Sequence, residues 1–179
     1  MDYNLAETAH DMRRSRLEAT VFADDAGEVC ELPLRSQERT RYQDEATIQR
    51  IVRSARVIAV VGLSANPRRP SNEVARYLQR QGLRIVPVNP NIVEALGEHS
   101  YPSLRDIPFP VDVVDVFRRP IAIPEIAEDA VAIGAKALWL QLGVINREGA
   151  ETARRAGMDV VMDRCLKVEW MRYGATASR

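Results

Sequence analysis

From residue 57 onward, short apolar runs without alternation are separated by segments in which apolar residues recur every three or four positions. The runs cover 57–61 (VIAVV), 84–89 (RIVPVN), 111–117 (VDVVDVF), 137–141 (ALWLQ) and 158–162 (MDVVM). A short unbroken apolar run suits a strand covered on both faces, as in a parallel sheet. Between the runs the spacing predicts helices. Ile48, Ile51, Val52 and Ala55 form one stripe, in a helix beginning near Thr40. Val74, Tyr77 and Leu78 form the next, opened by Pro70 and Ser71 and closed by Gly82. Ile126, Ala127, Ala130 and Val131 make a third stripe between Pro124 and Gly134, and further helices are expected over 146–157 and 164–173. Residues 92–110 read as a loop with one helical piece at 103–107, capped by Ser103 and stopped by Pro108. Strands alternating with helices at this spacing predict an α/β, Rossmann-like three-layer domain over 41–179, with a mainly parallel sheet of about five strands.

Residues 1–40 carry a weaker pattern and read as an N-terminal extension. Residues 20–23 and 28–32 flank Asp24-Asp25-Ala26-Gly27 and predict a hairpin, ended by Pro33. No internal repeat or low-complexity tract is visible.

Composition narrows the function. The 179 residues are 46% hydrophobic and 28% charged with a formal net charge of zero, so the basic footprint of a nucleic-acid binder is missing. No apolar run is long enough to span a bilayer, and the first residues lack the apolar core of a signal peptide. Cys30 and Cys165 fit no zinc spacing, and His10 has no companion ligand. The expectation is a cytoplasmic protein that binds neither nucleic acid nor membrane and holds no metal, with a homo-oligomer or a protein partner left open.

In an open parallel sheet, ligands bind outside the carboxyl ends of the strands. Here those ends carry Gly62-Leu63-Ser64, Asn89-Pro90-Asn91, Phe117-Arg118-Arg119, Gln141-Leu142-Gly143 and Asp163-Arg164-Cys165. Hydrogen-bonding side chains at all five of these ends mark a site. The first turn, GLSANPRRPS, points to a phosphate: Gly62 allows a sharp bend, and Ser64, Arg69 and Ser71 follow at a helix start. It is not a dinucleotide fingerprint, because Ser64 and Pro67 replace the second and third glycines and Asn89 stands where a ribose-binding acid is expected. No Walker-type loop occurs either.

Taken together, VVGLSANPRRPS, PVNPN, VDVVDVFRRP, LWLQLGVIN and VVMDRC resemble the small bacterial and archaeal CoA-binding proteins, a Rossmann-like family related to the CoA-binding domain of the succinyl-CoA synthetase alpha subunit. The resemblance covers about 46–173. It implies coenzyme A or an acyl-CoA as ligand, with Gly62, Ser64, Arg69 and Ser71 on the phosphates. Asn89 and Pro90 would border the adenosine, Phe117 and Arg118 would line its other side, and Gln141 and Gly143 would sit beside the pantetheine arm. The chain departs from that family at Trp170, which follows Glu169 where a His is often found. His10 and His99 are the histidines in this sequence, so the phosphorylatable His of the synthetases' second domain is not expected here.

For catalysis, Cys165 is the best nucleophile in sight, beside Arg164 and Lys167 at a helix start, but no base accompanies it. Asp163 is expected to cap the last helix. Asp112 and Asp115, three apart in a strand, face apart and make no carboxylate pair. The reading is a non-catalytic binding, carrier or sensor module. The alternative is an enzyme acting on an acyl-CoA or nucleotide-linked substrate through Cys165 or Asp163.

Overall fold

The computed structural model describes residues 21–23 and 29–174, which fall in two compact units, Met1–Pro33 and Leu34–Arg179. In the first, β1 (Val21–Ala23) pairs antiparallel with β2 (Val29–Glu31), with Phe22 opposite Cys30. This is the expected hairpin. Its turn, and His10, lie outside the described residues.

The second unit is built on a five-stranded sheet. Its strands are β3 (Val57–Val61), β4 (Arg84–Val88), β7 (Val113–Val116), β8 (Ala137–Leu140) and β9 (Asp159–Val161), in the order β4-β3-β7-β8-β9. All four pairings are parallel. The α/β Rossmann-like expectation holds, with its five strands. The chain winds outward from β3 in both directions, so the strand order reverses between β3 and β7, which is where such a sheet opens a crevice at its carboxyl edge.

Helices cover both faces. On one side α2 (Glu45–Ser54), α3 (Pro70–Arg80) and α6 (Leu166–Tyr173) bring Ile48, Ile51, Val52, Val74, Leu78, Leu166 and Trp170 onto Ile58, Val60, Ile85 and Trp139. On the other, α4 (Ile123–Ala132) and α5 (Arg147–Arg155) bring Ile123, Ala127, Ala130, Ala150 and Ala153 onto Ala59, Val86, Val114, Leu138 and Val160. Small residues let α4 and α5 pack closely. A Cβ added at Gly149 would come within 2.8 Å of Ile123 Cγ2 and 3.0 Å of its carbonyl oxygen.

The local signals behind these helices are chemical. Asp44 accepts the Thr47 N–H at the start of α2, Pro70 opens α3, and Asn146 accepts the Gly149 N–H at the start of α5.

Two segments differ from expectation. Helix α1 (Ser36–Tyr42) precedes α2, and no apolar stripe announces it because only Tyr42 along it is buried. Leu34 and Tyr42 nonetheless join the core. Residues 92–110, read as a loop, contain a tiny hairpin of β5 (Glu94–Ala95) and β6 (Glu98–His99) before the expected 3-10 turn, Leu104–Asp106, with Ser103 at its cap. Tyr101 then bridges to Val88 beside the edge strand β4: its N–H donates to Pro87 O and its carbonyl accepts the Asn89 N–H, each at 2.9 Å. At the opposite edge, Tyr42 O accepts the Met162 N–H just after β9, and the Gln43 amide donates to Met162 O. Among the described residues no helix is long and apolar enough to cross a membrane.

Candidate functional site

The carboxyl ends of β3 and β7 meet at Gly62. Its φ of +86° is a left-handed conformation, and a Cβ there would approach Arg118 Cδ to 2.9 Å and the Phe117 carbonyl oxygen to 3.1 Å. Glycine is therefore required twice over, by backbone sign and by the closeness of the next loop. Beyond it, residues 63–72 are held by their own polar groups. The Ser64 N–H donates to Ser71 Oγ (3.1 Å), Ser64 Oγ accepts the Asn66 N–H (3.2 Å), Asn66 Oδ1 accepts the Arg68 N–H (3.0 Å) and the Asn72 amide donates to Ser64 O (2.8 Å). The result is a fixed turn leading into the N-terminus of α3, with Arg69 exposed at the cap position.

The neighbouring loops are anchored in the same way. Asn89, after β4, donates through its amide to Leu63 O and accepts the Asn91 N–H on Oδ1, so it ties the second strand end to the first. After β8, Gly143 donates its N–H to Asp163 Oδ1 at 2.9 Å, joining the fourth strand end to the fifth. This overturns the expectation that Asp163 caps the last helix. Cys165 holds the N-cap position of α6, and Asp163, at φ +57°, turns its carboxylate to the 142–144 loop instead.

Three adjoining grooves follow the carboxyl edge. One, of about 180 Å³, is lined by Gly62, Asn89, Pro90, Ser103, Arg118, Glu125 and Asp129 among others. A second, of about 360 Å³, lies between Gly62, Ser64, Arg69, Pro70, Ser71 and Phe117. The third, of about 430 Å³, runs along Phe117, Arg118, Gln141, Gly143, Val144 and Cys165. Gly62, Phe117 and Arg118 each line two of the three. Each of the ten residues singled out in the sequence lines at least one of them, and the last two grooves are of the size that holds a small ligand. In character they differ. The second has a guanidinium and a helix N-terminus, the third is walled mainly by apolar groups, and the first carries the acids Glu125 and Asp129, the latter paired with Arg105.

The cations beside Cys165 are engaged elsewhere. Arg164 Nη1 lies 3.5 Å from the buried Glu169 carboxylate, and Lys167 Nζ lies 2.6 Å from Glu73. The Arg164 side chain is thus tied to Glu169 while 38% of its surface stays exposed. Among the described residues no group of His, Cys, Asp and Glu could hold a metal ion.

One residue of consequence escapes the sequence reading. Asp112 and Asp115 look alike in VDVVDV, yet Asp112 sits before β7, where its carboxylate accepts the N–H groups of Arg56 and Val57 and pairs with Lys136. Asp115 is inside the sheet with no exposed surface. Burial pushes its carboxyl up to about 7, opposed only in part by a 2.7 Å hydrogen bond from Gln141 Nε2. The only sequence signal is a carboxylate where the apolar run continues through it.

Comparison with known proteins now bears on this site. The sequence model of a family described as a CoA binding domain matches residues 56–171. The uncharacterized protein YneT of Bacillus subtilis is 42% identical over 124 residues, 69% of this chain and 92% of that one. The solved structure of a hypothetical protein from Pyrococcus horikoshii superposes with a TM-score of 0.70 at 40% identity, covering 72% of this chain and 91% of that one. An ADP-forming acetate–CoA ligase of Archaeoglobus fulgidus is 27% identical over 121 residues, 62% of this chain but 18% of the ligase.

Proposed function

We propose that this chain, which belongs to the CoA-binding domain family, binds coenzyme A or an acyl-CoA along the carboxyl edge of its sheet, as a cytoplasmic binding, carrier or sensor module. One observation carries the reading. Ten residues from four separate strand ends, chosen by chemistry and resemblance, line three grooves that share walls. Coenzyme A is a ligand of matching anatomy, with a pyrophosphate, a flat base on a phosphorylated ribose, and a long amide arm.

In this assignment the pyrophosphate lies in the groove of Ser64, Arg69 and Ser71, where the start of α3 contributes backbone N–H groups and positive potential. Ser71 and Asn89 act chiefly by shaping: one accepts the Ser64 N–H, the other holds Leu63 O. The adenosine borders Asn89, Pro90 and Arg118; Phe117, expected on its other side, lines the other two grooves instead and is placed beside the arm, which runs past Gln141 and Gly143.

Calorimetric titration and thermal shift against CoA, acetyl-CoA, NAD and ATP test this. A ligand at about 100 times its Kd adds about 2.7 kcal/mol of stability. CoA and acetyl-CoA are expected to stabilise the protein; stabilisation by NAD or ATP with none by CoA refutes the proposal. Arg69→Ala should weaken CoA about tenfold or more, because it removes a charge-assisted contact.

A catalytic reading has one observation in its favour, that Cys165 lines the arm's groove. If acyl-CoA turnover is detected, Cys165→Ser should abolish it while CoA binding persists; turnover surviving in that variant removes the role of the thiol.

A further inference from the structure

Asp115 lies third in β7, in register with Val60 on one side and Trp139 on the other, in the middle of the sheet. One carboxylate oxygen accepts from Gln141 Nε2 at 2.7 Å, and the other has no hydrogen-bond partner. A buried carboxylate left half unsatisfied opposes folding, and an apolar side chain of the same size would serve the sheet better. When a core position breaks its local rule with nothing gained in packing, the explanation is to be sought at a functional site.

Gln141 supplies that site. It directly follows β8, is 4% exposed, and lines the apolar groove with Phe117, Gly143 and Cys165. Its amide is nearly symmetric in shape but opposite in polarity at its two ends. Ionised, as it is above about pH 7, the Asp115 carboxylate only accepts, so in that state the NH2 end of Gln141 must face the sheet. Turned the other way, two acceptors would meet in a desolvated place. The carbonyl Oε1 is thereby left toward the groove, with no hydrogen bond to any described residue.

We propose that Asp115 is a positioning residue that locks the Gln141 amide with its carbonyl toward the groove, so that the site selects a ligand segment presenting an amide N–H at that point. The inference rests on the coenzyme A reading above, in which the pantetheine arm, with its amide N–H groups, occupies this groove. Binding of the nucleotide end does not involve this pair.

The test compares Kd values, well above pH 7 where Asp115 is ionised, for CoA and for adenosine 3′,5′-bisphosphate, which lacks the arm, across wild type, Asp115→Asn, Asp115→Leu and the double variant Asp115→Asn/Gln141→Glu. In Asp115→Asn both amides can reverse, and in Asp115→Leu the partner is gone. Each should weaken CoA about tenfold, the worth of one neutral hydrogen bond, and leave the bisphosphate unchanged. In the double variant the Asn amide donates to the Glu carboxylate, whose second oxygen accepts from the ligand, and most of the lost CoA affinity returns. An unchanged ratio of CoA to bisphosphate affinity in both single variants overturns the proposal, as does a double variant no better than Asp115→Asn. Failure of wild type to bind CoA would instead overturn the reading beneath it, and the two failures are told apart by which protein shows them.

Discussion

Replacing Asp115 by Asn should change how stability depends on pH, in a direction opposite to that of an ordinary aspartate. The folded-state value is raised from 3.8 to about 7 by burial. Between those values the folded chain holds a proton that the unfolded chain has released, so stability falls as pH rises, by about 1.36 kcal/mol per pH unit. The contribution is fully present below the unfolded value and is lost as pH rises through the folded one. From about pH 5 to about pH 8 the wild type should therefore lose about 2 to 3 kcal/mol through this residue alone. The amide of Asp115→Asn keeps the shape of the carboxyl and does not titrate, so the variant should lose none of it. Urea denaturation followed by tryptophan fluorescence is the assay. Trp139 is fully buried beside Asp115, and a difference of this size moves the midpoint by about 1 to 2 M urea. Every other titratable group is common to both proteins and cancels in the comparison. The same slope of stability against pH in wild type and variant would refute the argument, and with it the claim that Asp115 is held in a dry site.

Three further outcomes are expected. Gly149→Ala, whose new methyl meets Ile123 at 2.8 Å, should cost about 1 to 3 kcal/mol and lower Tm, with CoA affinity unchanged; an unaltered Tm would show that α4 and α5 can separate without penalty. Gly62→Ala should cost about 1 to 2 kcal/mol for its left-handed backbone and, by displacing Arg118 and Phe117, also weaken CoA binding, read by titration on the folded variant. Glu38 accepts from Arg147 Nε at 2.7 Å and Nη2 at 3.0 Å, chiefly because of which its carboxyl is held down at about 2 rather than 4.5. That contribution is present above about pH 4.5 and lost as pH falls toward 2, so Glu38→Gln should flatten the acid limb of the stability curve; an acid limb as steep as that of wild type counts against it.

What the sequence made legible was what repeats. VIAVV reads as a buried strand because both faces are covered, and Gly82, Gly134 and Asn146 mark helix ends through requirements that belong to single residues. The site was legible for a related reason: strand ends in a parallel sheet share one edge, so residues far apart in the chain converge once the strands are placed. What escaped depends on tertiary context. Helix α1 buries only Tyr42, and the hairpin after β4 turns at Leu96, a leucine at φ +56° that no turn propensity announces. Asp112 and Asp115 sit in the same local sequence, and only the register of β7 decides that one meets the backbone N–H groups of Arg56 and Val57 and the other the core. For Asp163 the local sequence favours the nearer of two partners, a helix start, whereas the fold brings Gly143 to it.

The two short elements that escaped prediction also decide how this unit can meet other molecules. Tyr101 occupies backbone groups of Pro87 and Asn89 along β4, Pro87 itself offers no N–H, and Tyr42 with Gln43 occupies those of Met162 beyond β9. Strand borders so occupied give an incoming chain little to zip onto, which protects the unit against runaway β-stacking. They also leave recognition to side chains and loops. A partner protein would have to engage the loop-bearing rim or a helical flank, and the rim carrying Phe117, Leu142 and Gly143 is also the one along which a ligand would lie. Occupancy of the grooves would then be visible to whatever docks there, without any element of the fold having to move.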